Sequence, residues 1–143
     1  MQIEFYYTIL SQGVDGPMET TKTVLYVEDS QDNRTLVRRV LQSEGFQVIE
    51  AENAALAMQI LHEHHPDLIL MDINLPEVDG YSLTTHLKLR PELKNVPIIA
   101  LTANVMRGDR ERSLEAGCDG YIQKPIDVDT LAEQIDQYII RSR

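Results

Sequence analysis

Five polar side chains stand at the ends of apolar segments and are of types that could do chemistry together. Glu28 and Asp29 follow the run TVLYV, Asp72 ends LILMD, Thr102 follows PIIAL and Lys124 follows GYIQ. If these runs are parallel strands, their carboxyl ends meet at one edge of a sheet, where α/β proteins place their binding sites. The spacing therefore predicts that all five side chains converge on one cleft.

Three of these residues are carboxylates, and carboxylates gathered in one cleft favour a bound cation. Two unit charges about 4 Å apart repel by roughly 4 kcal/mol at an effective dielectric of 20. A ligand set of oxygen atoms suits Mg²⁺, which also keeps several waters. Lys124 adds a positive charge and Thr102 a hydroxyl donor, so the set is typical of a site that stabilises a phosphoryl group during transfer.

Five short apolar runs must position these residues. The runs at 68–72 and 97–101 are almost unbroken, which indicates strands that are buried on both faces, as in a parallel sheet. The predicted strands are Thr23–Val27, Gln47–Ala51, Leu68–Asp72, Pro97–Leu101 and Gly120–Gln123.

Segments with helical periodicity alternate with the strands. The predicted helices cover residues 31–44, a stretch from the N-cap Asn53 to about 64, about 81–89, about 107–116, and an apolar stripe from Val128 to Ile139. The first of them carries its apolar residues at helical spacing from Leu36 to Leu41. This alternation predicts an α/β protein with a doubly wound, five-stranded parallel sheet and helices on both faces.

Composition narrows the class of function. Apolar residues make up 43% of the chain and charged residues 25%, as in ordinary globular proteins. The net charge of −10 argues against binding to nucleic acid or to an anionic membrane. The single cysteine excludes an intrachain disulfide, and no apolar stretch approaches the roughly 20 residues that span a bilayer. We therefore expect a cytoplasmic protein with no direct contact to nucleic acid or membrane.

The beginning of the chain differs from the rest. Ile3–Leu10 is apolar and aromatic with strand propensity, and residues 11–20 contain glycine and proline breakers. The simplest interpretation is a flexible extension, residues 1–20, ahead of a single domain, residues 21–143. The alternative is a segment that packs on this domain or on a second copy.

The ordered motifs resemble those of the receiver domain of two-component response regulators, over about residues 22–140. VEDS at 27–30 is similar to the family's acidic pair, and MDINLPEVDG at 71–80 is similar to its phosphorylation-site loop. ALTA at 100–103 is similar to the switch-threonine motif, and AGCDGYIQKP at 116–125 is similar to the lysine–proline motif.

The resemblance implies a metal site and a phosphoacceptor. Asp72 would accept the phosphoryl group. Mg²⁺ would bind the carboxylates of Asp29 and Asp72, the backbone carbonyl of Asn74 and, through water, Glu28. Glu28 stands where aspartate is commoner in the family, a variation that should keep the water-mediated role.

The resemblance also implies a switch and a fold. Lys124 would pair with the phosphoryl group, Thr102 would donate a hydrogen bond to it, and Tyr121 would be the aromatic switch residue. The Lys124–Pro125 peptide bond would be cis. Asn104 lies where the family tunes the lifetime of the phosphoryl group. The implied fold is the flavodoxin-like (βα)5 receiver fold, with strand order 2-1-3-4-5.

The implied protein is a stand-alone signalling switch that is activated by phosphorylation, not a metabolic enzyme. The donor would be a histidine kinase or a histidine phosphotransfer protein. Because only three residues follow Ile140, no output domain is expected, and the target would be a downstream effector protein or a second copy. The domain would catalyse only its own Mg²⁺-dependent phosphorylation and dephosphorylation.

Other functions use some of the same residues. An Asp-nucleophile phosphatase usually carries a second aspartate two residues after the first, and Asn74 at this position counts against that class. A nucleotide- or flavin-binding module is disfavoured because VEDSQDN contains no glycine where backbone must approach a phosphate. A degenerate receiver that acts as a phosphorylation-independent interaction module is a further alternative.

Overall fold

The structure is a computed structural model that describes residues 21–103 and 108–142. The predicted extension, residues 1–20, and Asn104 lie outside the described residues. The strands are β1 (Thr23–Val27), β2 (Gln47–Ala51), β3 (Leu68–Asp72), β4 (Ile98–Thr102) and β5 (Gly120–Gln123). The helices are α1 (Gln31–Ser43), α2 (Ala54–Glu63), α3 (Gly80–Lys88), α4 (Asp109–Ala116) and α5 (Leu131–Arg141), with a short 3₁₀ helix at Pro91–Leu93.

The strands form one parallel sheet in the order β2-β1-β3-β4-β5, so the predicted fold is confirmed. The register places Val27 of β1 beside Met71 of β3. On the other side of β3, Asp72 lies beside Leu101, and Thr102 of β4 lies beside Gln123 of β5. Because the strands end within about one residue of each other, the residues at and after their carboxyl ends share one edge of the sheet.

Apolar side chains cover both faces of the sheet. Every residue of β3 is buried, and its alternate side chains point to opposite faces. Leu68 and Leu70 belong to the core under α1 and α5. Ile69 and Met71 belong to the core under α2 and α3. The unbroken apolar run therefore marks a central strand with helices on each side.

Local signals begin and end the helices. The side chains of Ser30, Asn53 and Asp79 accept hydrogen bonds from backbone amides in the first turns of α1, α2 and α3. Gly117 follows α4 with a φ of 101°, a left-handed conformation that favours glycine. The three N-caps lie in the loops that follow β1, β2 and β3, at the same edge of the sheet as the polar residues.

Some bounds and exposures differ from the sequence predictions. β4 runs from Ile98 to Thr102 rather than from Pro97 to Leu101. Pro97 lies outside the strand because proline has no N–H for a central ladder, although its carbonyl still accepts a hydrogen bond from the amide of Ile69. Val128 precedes α5 and is 41% exposed, so its place in the apolar stripe was wrong. Leu36 is 47% exposed, because the buried side of α1 runs through Val37 and Leu41.

No helix in the described ranges has the length and apolar character needed to cross a membrane.

Candidate functional site

An acidic cluster (Glu28, Asp29 and Asp72) lies at the carboxyl edge of the sheet. One carboxylate oxygen from each residue lies within 4.8 Å of the others. Glu28 and Asp72 are only 1% and 2% exposed, whereas Asp29 is exposed. Two buried carboxylates beside an exposed one form a pocket of oxygen donors that opens to solvent. The chemistry and spacing of this set fit a divalent cation with bound waters.

Lys124 brings a positive charge to the acidic cluster. Its Nζ lies 3.1 Å from Asp72 Oδ1 and 3.6 Å from Glu28 Oε1. The backbone amide of Lys124 donates a hydrogen bond of 2.8 Å to the carbonyl of Thr102, which ties the end of β5 to β4. The Lys124–Pro125 bond is cis, as expected. The ammonium group therefore compensates part of the negative charge that Asp72 and Glu28 bury.

The loop after β3 folds back over Asp72. The backbone amide of Asn74 donates to Asp72 Oδ1 over 3.0 Å, and the amide of Gly80 donates to the carbonyl of Ile73 over 3.1 Å. These bonds hold residue 74 beside the acidic cluster. The ligand role of the Asn74 carbonyl stays a prediction.

Thr102 and Tyr121 lie on neighbouring strands and on the same face of the sheet. Thr102 ends β4 and is buried. Tyr121 pairs in register with Ala100, two residues before Thr102, and is half-buried. The Tyr121 hydroxyl accepts hydrogen bonds from Arg110, whose Nε lies 3.1 Å away. The structure thus brings Thr102 to the edge of the site and places the Tyr121 side chain in contact with Arg110 of α4.

Three donors to Glu28 were not predicted from the sequence. The hydroxyl of Tyr26 donates to Glu28 Oε1 over 3.0 Å, and Asn33 Nδ2 donates to the same oxygen over 3.4 Å. The amide of Ser30 donates to Oε2 over 3.3 Å. A tyrosine two residues before an acidic strand end was an available signal, because residues i and i+2 of a strand share a face.

Arg34 holds the backbone of the acidic loop, the segment from Glu28 to Ser30 that follows β1. Its Nη1 donates to the carbonyls of Glu28 and Asp29, over 2.7 and 3.0 Å. Its Nε lies 3.5 Å from Glu50 of β2, which also pairs with Arg38 over 2.6 Å. The first turns of α1 therefore fasten the two acidic residues to the sheet, a contact that no local pattern indicated.

Burial changes the acidity of two groups at the site. The pKa of Glu28 is raised, first by desolvation and then by hydrogen bonding with Asp72 and by its charge, while Lys124 opposes the change. The pKa of Tyr26 is also raised, first by desolvation and then by the charge of Glu28. The phenol therefore keeps its proton and acts as a donor to the carboxylate.

The raised pKa of Glu28 predicts a pH dependence of stability in the metal-free protein. A carboxyl whose pKa is higher in the folded chain contributes stability that is fully present below the unfolded pKa, about 4.3 for glutamate. This contribution is lost as the pH rises through the folded pKa. As the pH rises from about 4 to about 8, the free energy of unfolding of Glu28→Gln should therefore increase relative to that of the wild type. Urea denaturation in the presence of EDTA measures this difference.

The matched control is Glu63→Gln, which changes an exposed glutamate at the end of α2. Its difference from the wild type in unfolding free energy should stay nearly constant over the same pH range. A Glu28→Gln curve that runs parallel to the wild-type curve would contradict the prediction.

Comparison with known proteins gives a consistent result. The family model described as response regulator receiver domain matches residues 24–136. The chain is 45% identical over 119 residues to the polar-differentiation response regulator DivK of Brucella abortus, with 83% of this chain and 97% of the relative covered.

Two solved structures are similar in fold and sequence. One is the receiver domain of sensor histidine kinase PA1611 from Pseudomonas aeruginosa, with a magnesium ion coordinated in its active site cleft; the TM-score is 0.76 at 37% identity, covering 84% of this chain and 98% of that chain. The other is the chemotaxis response regulator CheY4 of Vibrio cholerae, with a TM-score of 0.79 at 26% identity, covering 83% of this chain and 99% of that chain.

These matches cover the same sheet and the same edge that carry the acidic cluster. The family model spans most of the chain, and the curated relative aligns over nearly its full length. The chain therefore belongs to the response regulator receiver family and works as a phosphorylation-dependent switch in two-component signalling.

Proposed function

We propose that Asp72 is the phosphoacceptor of this switch and that the acidic cluster binds Mg²⁺. The observation that carries the proposal is the position of the Asp72 carboxylate, which is buried yet lies 3.1 Å from Lys124 Nζ. Oxygens of Glu28 and Asp29 lie within 4.8 Å of it. A carboxylate between a cation site and an ammonium group is suited to receive a phosphoryl group, whose charge needs positive partners on several sides.

The donor set supports a magnesium site. Asp29 and Asp72 would supply carboxylate oxygens, Asn74 its backbone carbonyl, and Glu28 would act through a bound water. Mg²⁺ prefers oxygen ligands and retains water, and the exposed side of the site at Asp29 leaves room for both water and a phosphoryl oxygen. When bound, the ion would neutralise negative charge on the carboxylates and on the phosphoryl oxygens.

The chain's own residues would carry the transfer. An Asp72 oxygen attacks the phosphorus of a phosphohistidine in line, an acyl phosphate O–P bond forms and the N–P bond breaks. The histidine nitrogen leaves with its electron pair, and its ring is neutral once it has taken up a proton. Lys124 shifts from Asp72 Oδ1 to a phosphoryl oxygen. Water later cleaves the acyl phosphate in the same site, so the domain catalyses its own phosphorylation and dephosphorylation.

Thr102 and Tyr121 would convert the new charge into a change of surface. A hydrogen bond from the Thr102 hydroxyl to a phosphoryl oxygen is worth about 1.5–3 kcal/mol. Shifting a two-state equilibrium from 1:99 to 99:1 takes about 5.5 kcal/mol. The hydrogen bond of Thr102 is therefore too weak to drive the switch by itself. Lys124 and side-chain repacking would supply the remaining free energy, and in this repacking the Tyr121 ring enters the space that Thr102 leaves.

The proposed partners follow from this chemistry. The donor is a phosphohistidine on a histidine kinase or on a phosphotransfer protein. The target is an effector protein or a second copy of the chain, which would recognise the changed surface around α4, β5 and α5. We propose that these exchanges take place in the cytoplasm, in a domain that spans residues 21–143.

The test is the intact mass of the chain after incubation with acetyl phosphate and Mg²⁺. The wild type should gain about 80 Da, the mass of one phosphoryl group, and lose it with time. Asp72→Asn should gain nothing, and neither should the wild type in EDTA. Asp127→Asn is the matched control, because it makes the same change in an exposed loop and should behave like the wild type.

A stoichiometric mass gain in Asp72→Asn would contradict the assignment of the phosphoacceptor. No gain in the folded wild type, with acetyl phosphate or with a phosphorylated histidine kinase as donor, would favour the phosphorylation-independent interaction module instead.

A further inference from the structure

Tyr26 is a buried residue with a polar contact to the acidic cluster. It lies in β1, between β2 and β3, and is fully buried in the core under α1 and α5. A buried phenol needs a hydrogen-bond partner. Its partner here is Glu28 Oε1, at 3.0 Å, in the residue that directly follows the end of β1.

Three other donors lie farther from the Glu28 carboxylate. Asn33 Nδ2 lies 3.4 Å from Oε1, and Lys124 Nζ lies 3.6 Å from it. The amide of Ser30 lies 3.3 Å from Oε2. Of these four nitrogen and oxygen donors, the Tyr26 hydroxyl lies nearest to the carboxylate. It is also held most rigidly, because its ring is packed within the sheet's core.

Glu28 has a particular need for such a contact. A glutamate side chain has one more rotatable bond than an aspartate and loses more conformational entropy when it is fixed. The carboxylate is buried beside Asp72, which repels it. A donor on a rigid strand restrains the side chain and offsets part of its charge. Oε2 can then keep its hydrogen bond from the backbone amide of Ser30.

We propose that Tyr26 is a positioning residue for the cation site, with its hydroxyl holding Glu28 in the orientation from which it binds a metal-coordinated water. This inference rests on the proposed role of Glu28 in the magnesium site. It assigns a functional part to a core residue that touches neither the phosphoryl group nor the ion. Hydrogen bonds that orient outer ligands typically change metal affinity by about 10–100-fold when they are lost.

A double-mutant cycle on Mg²⁺ affinity tests the proposal. Tyr26→Phe keeps the ring and removes the hydroxyl. Isothermal titration calorimetry should show a Kd for Mg²⁺ about 10-fold weaker than in the wild type. In a Glu28→Gln background, the same substitution should leave the Kd unchanged within about 2-fold, because the coupling acts through the Glu28 carboxylate.

Tyr138→Phe is the matched control. It removes the hydroxyl of another tyrosine that packs against the same core from α5, and it should leave the Kd unchanged. Thermal unfolding of all variants separates packing from positioning. Lowered stability in Tyr26→Phe with an unchanged Kd would overturn the proposal, and so would an equal loss of affinity in both backgrounds.

The readout separates this inference from the proposed phosphoacceptor. Mg²⁺ affinity is measured without any phosphodonor. The double-mutant cycle therefore tests the role of Tyr26 even if Asp72 does not accept a phosphoryl group. A wild-type protein that binds no Mg²⁺ would overturn the magnesium site and this inference together. Wild-type binding with no coupling between Tyr26 and Glu28 would overturn the inference alone.

Discussion

Replacing Lys124 by methionine is expected to slow phosphorylation from acetyl phosphate by about 10²–10³-fold, the usual cost of removing one positioned partner of the developing charge. Lys124 Nζ lies 3.1 Å from Asp72 Oδ1, so its ammonium group is in place to meet a phosphoryl oxygen. The initial rate of mass gain at saturating Mg²⁺ measures the effect. Methionine keeps much of the side-chain length and removes the charge.

The same substitution should tighten Mg²⁺ binding, because the ammonium group and the ion compete for the carboxylates of Asp72 and Glu28. It should also destabilise the metal-free protein, by about 3–5 kcal/mol, since both buried carboxylates lose their cationic neighbour. Added Mg²⁺ should restore most of this stability by mass action. Calorimetric titration and urea denaturation with and without Mg²⁺ measure these two effects.

Lys22→Met is the matched control. Lys22 pairs with Asp136 over 2.7 Å, at the opposite end of β1 from the acidic cluster. This variant should phosphorylate at the wild-type rate and bind Mg²⁺ with wild-type affinity. A Lys124→Met protein with a wild-type phosphorylation rate would show that Lys124 does not meet the transferred group.

Gly80→Ala is expected to reduce the free energy of unfolding by about 3 kcal/mol, near the upper end of the usual cost of overpacking. A Cβ atom at Gly80 would lie 2.6 Å from the carbonyl oxygen of Asp72 and 2.7 Å from the Cα of Ile73. Both are backbone atoms, so neither moves without displacing the loop after β3. Urea denaturation measures the loss, and the rate of mass gain should fall as well because Asp72 itself is displaced.

Ser82→Ala is the control for this substitution. Ser82 is exposed two residues further along α3, and alanine is a better helix former, so stability should stay within about 0.5 kcal/mol of the wild type. Wild-type stability and phosphorylation in Gly80→Ala would mean that the loop after β3 can shift at little cost.

The family assignment changes the weight of the alternative functions. A match to the receiver family over residues 24–136 does not favour an Asp-nucleophile phosphatase, a class that Asn74 had already disfavoured. The phosphorylation-independent module is also not favoured, since Asp72, Lys124 and Thr102 all lie at the carboxyl edge of the sheet.

Much of the fold was readable from short-range patterns. The predicted bounds of β1, β2, β3 and β5 agree with the structure to the residue, because each apolar run ends abruptly at polar or turn-forming residues. Asn53 is the N-cap of α2 as predicted, because a capping interaction involves only neighbouring residues. Parallel topology follows from the alternation of strands and helices, and it is sufficient to bring Glu28, Asp72 and Lys124 to one edge.

The order of the strands came from the family resemblance, because alternation alone does not say which strands are neighbours. Burial of individual side chains also needed the tertiary structure. Leu36 and Val128 fit an apolar pattern and yet are exposed, since a pattern shows which residues share a face but not how far the neighbouring element extends over it.

Within the site, the sequence by itself determined which residue types reach the cleft. Only the tertiary structure decided that Glu28 and Asp72 are buried while Asp29 is exposed, that Tyr26 donates to Glu28, and that Arg34 holds the acidic loop. The physical reason is the distance along the chain over which each feature is determined. Strand periodicity and helix caps are set by adjacent residues, whereas burial and hydrogen-bond partners depend on how separate elements pack to within a fraction of an ångström.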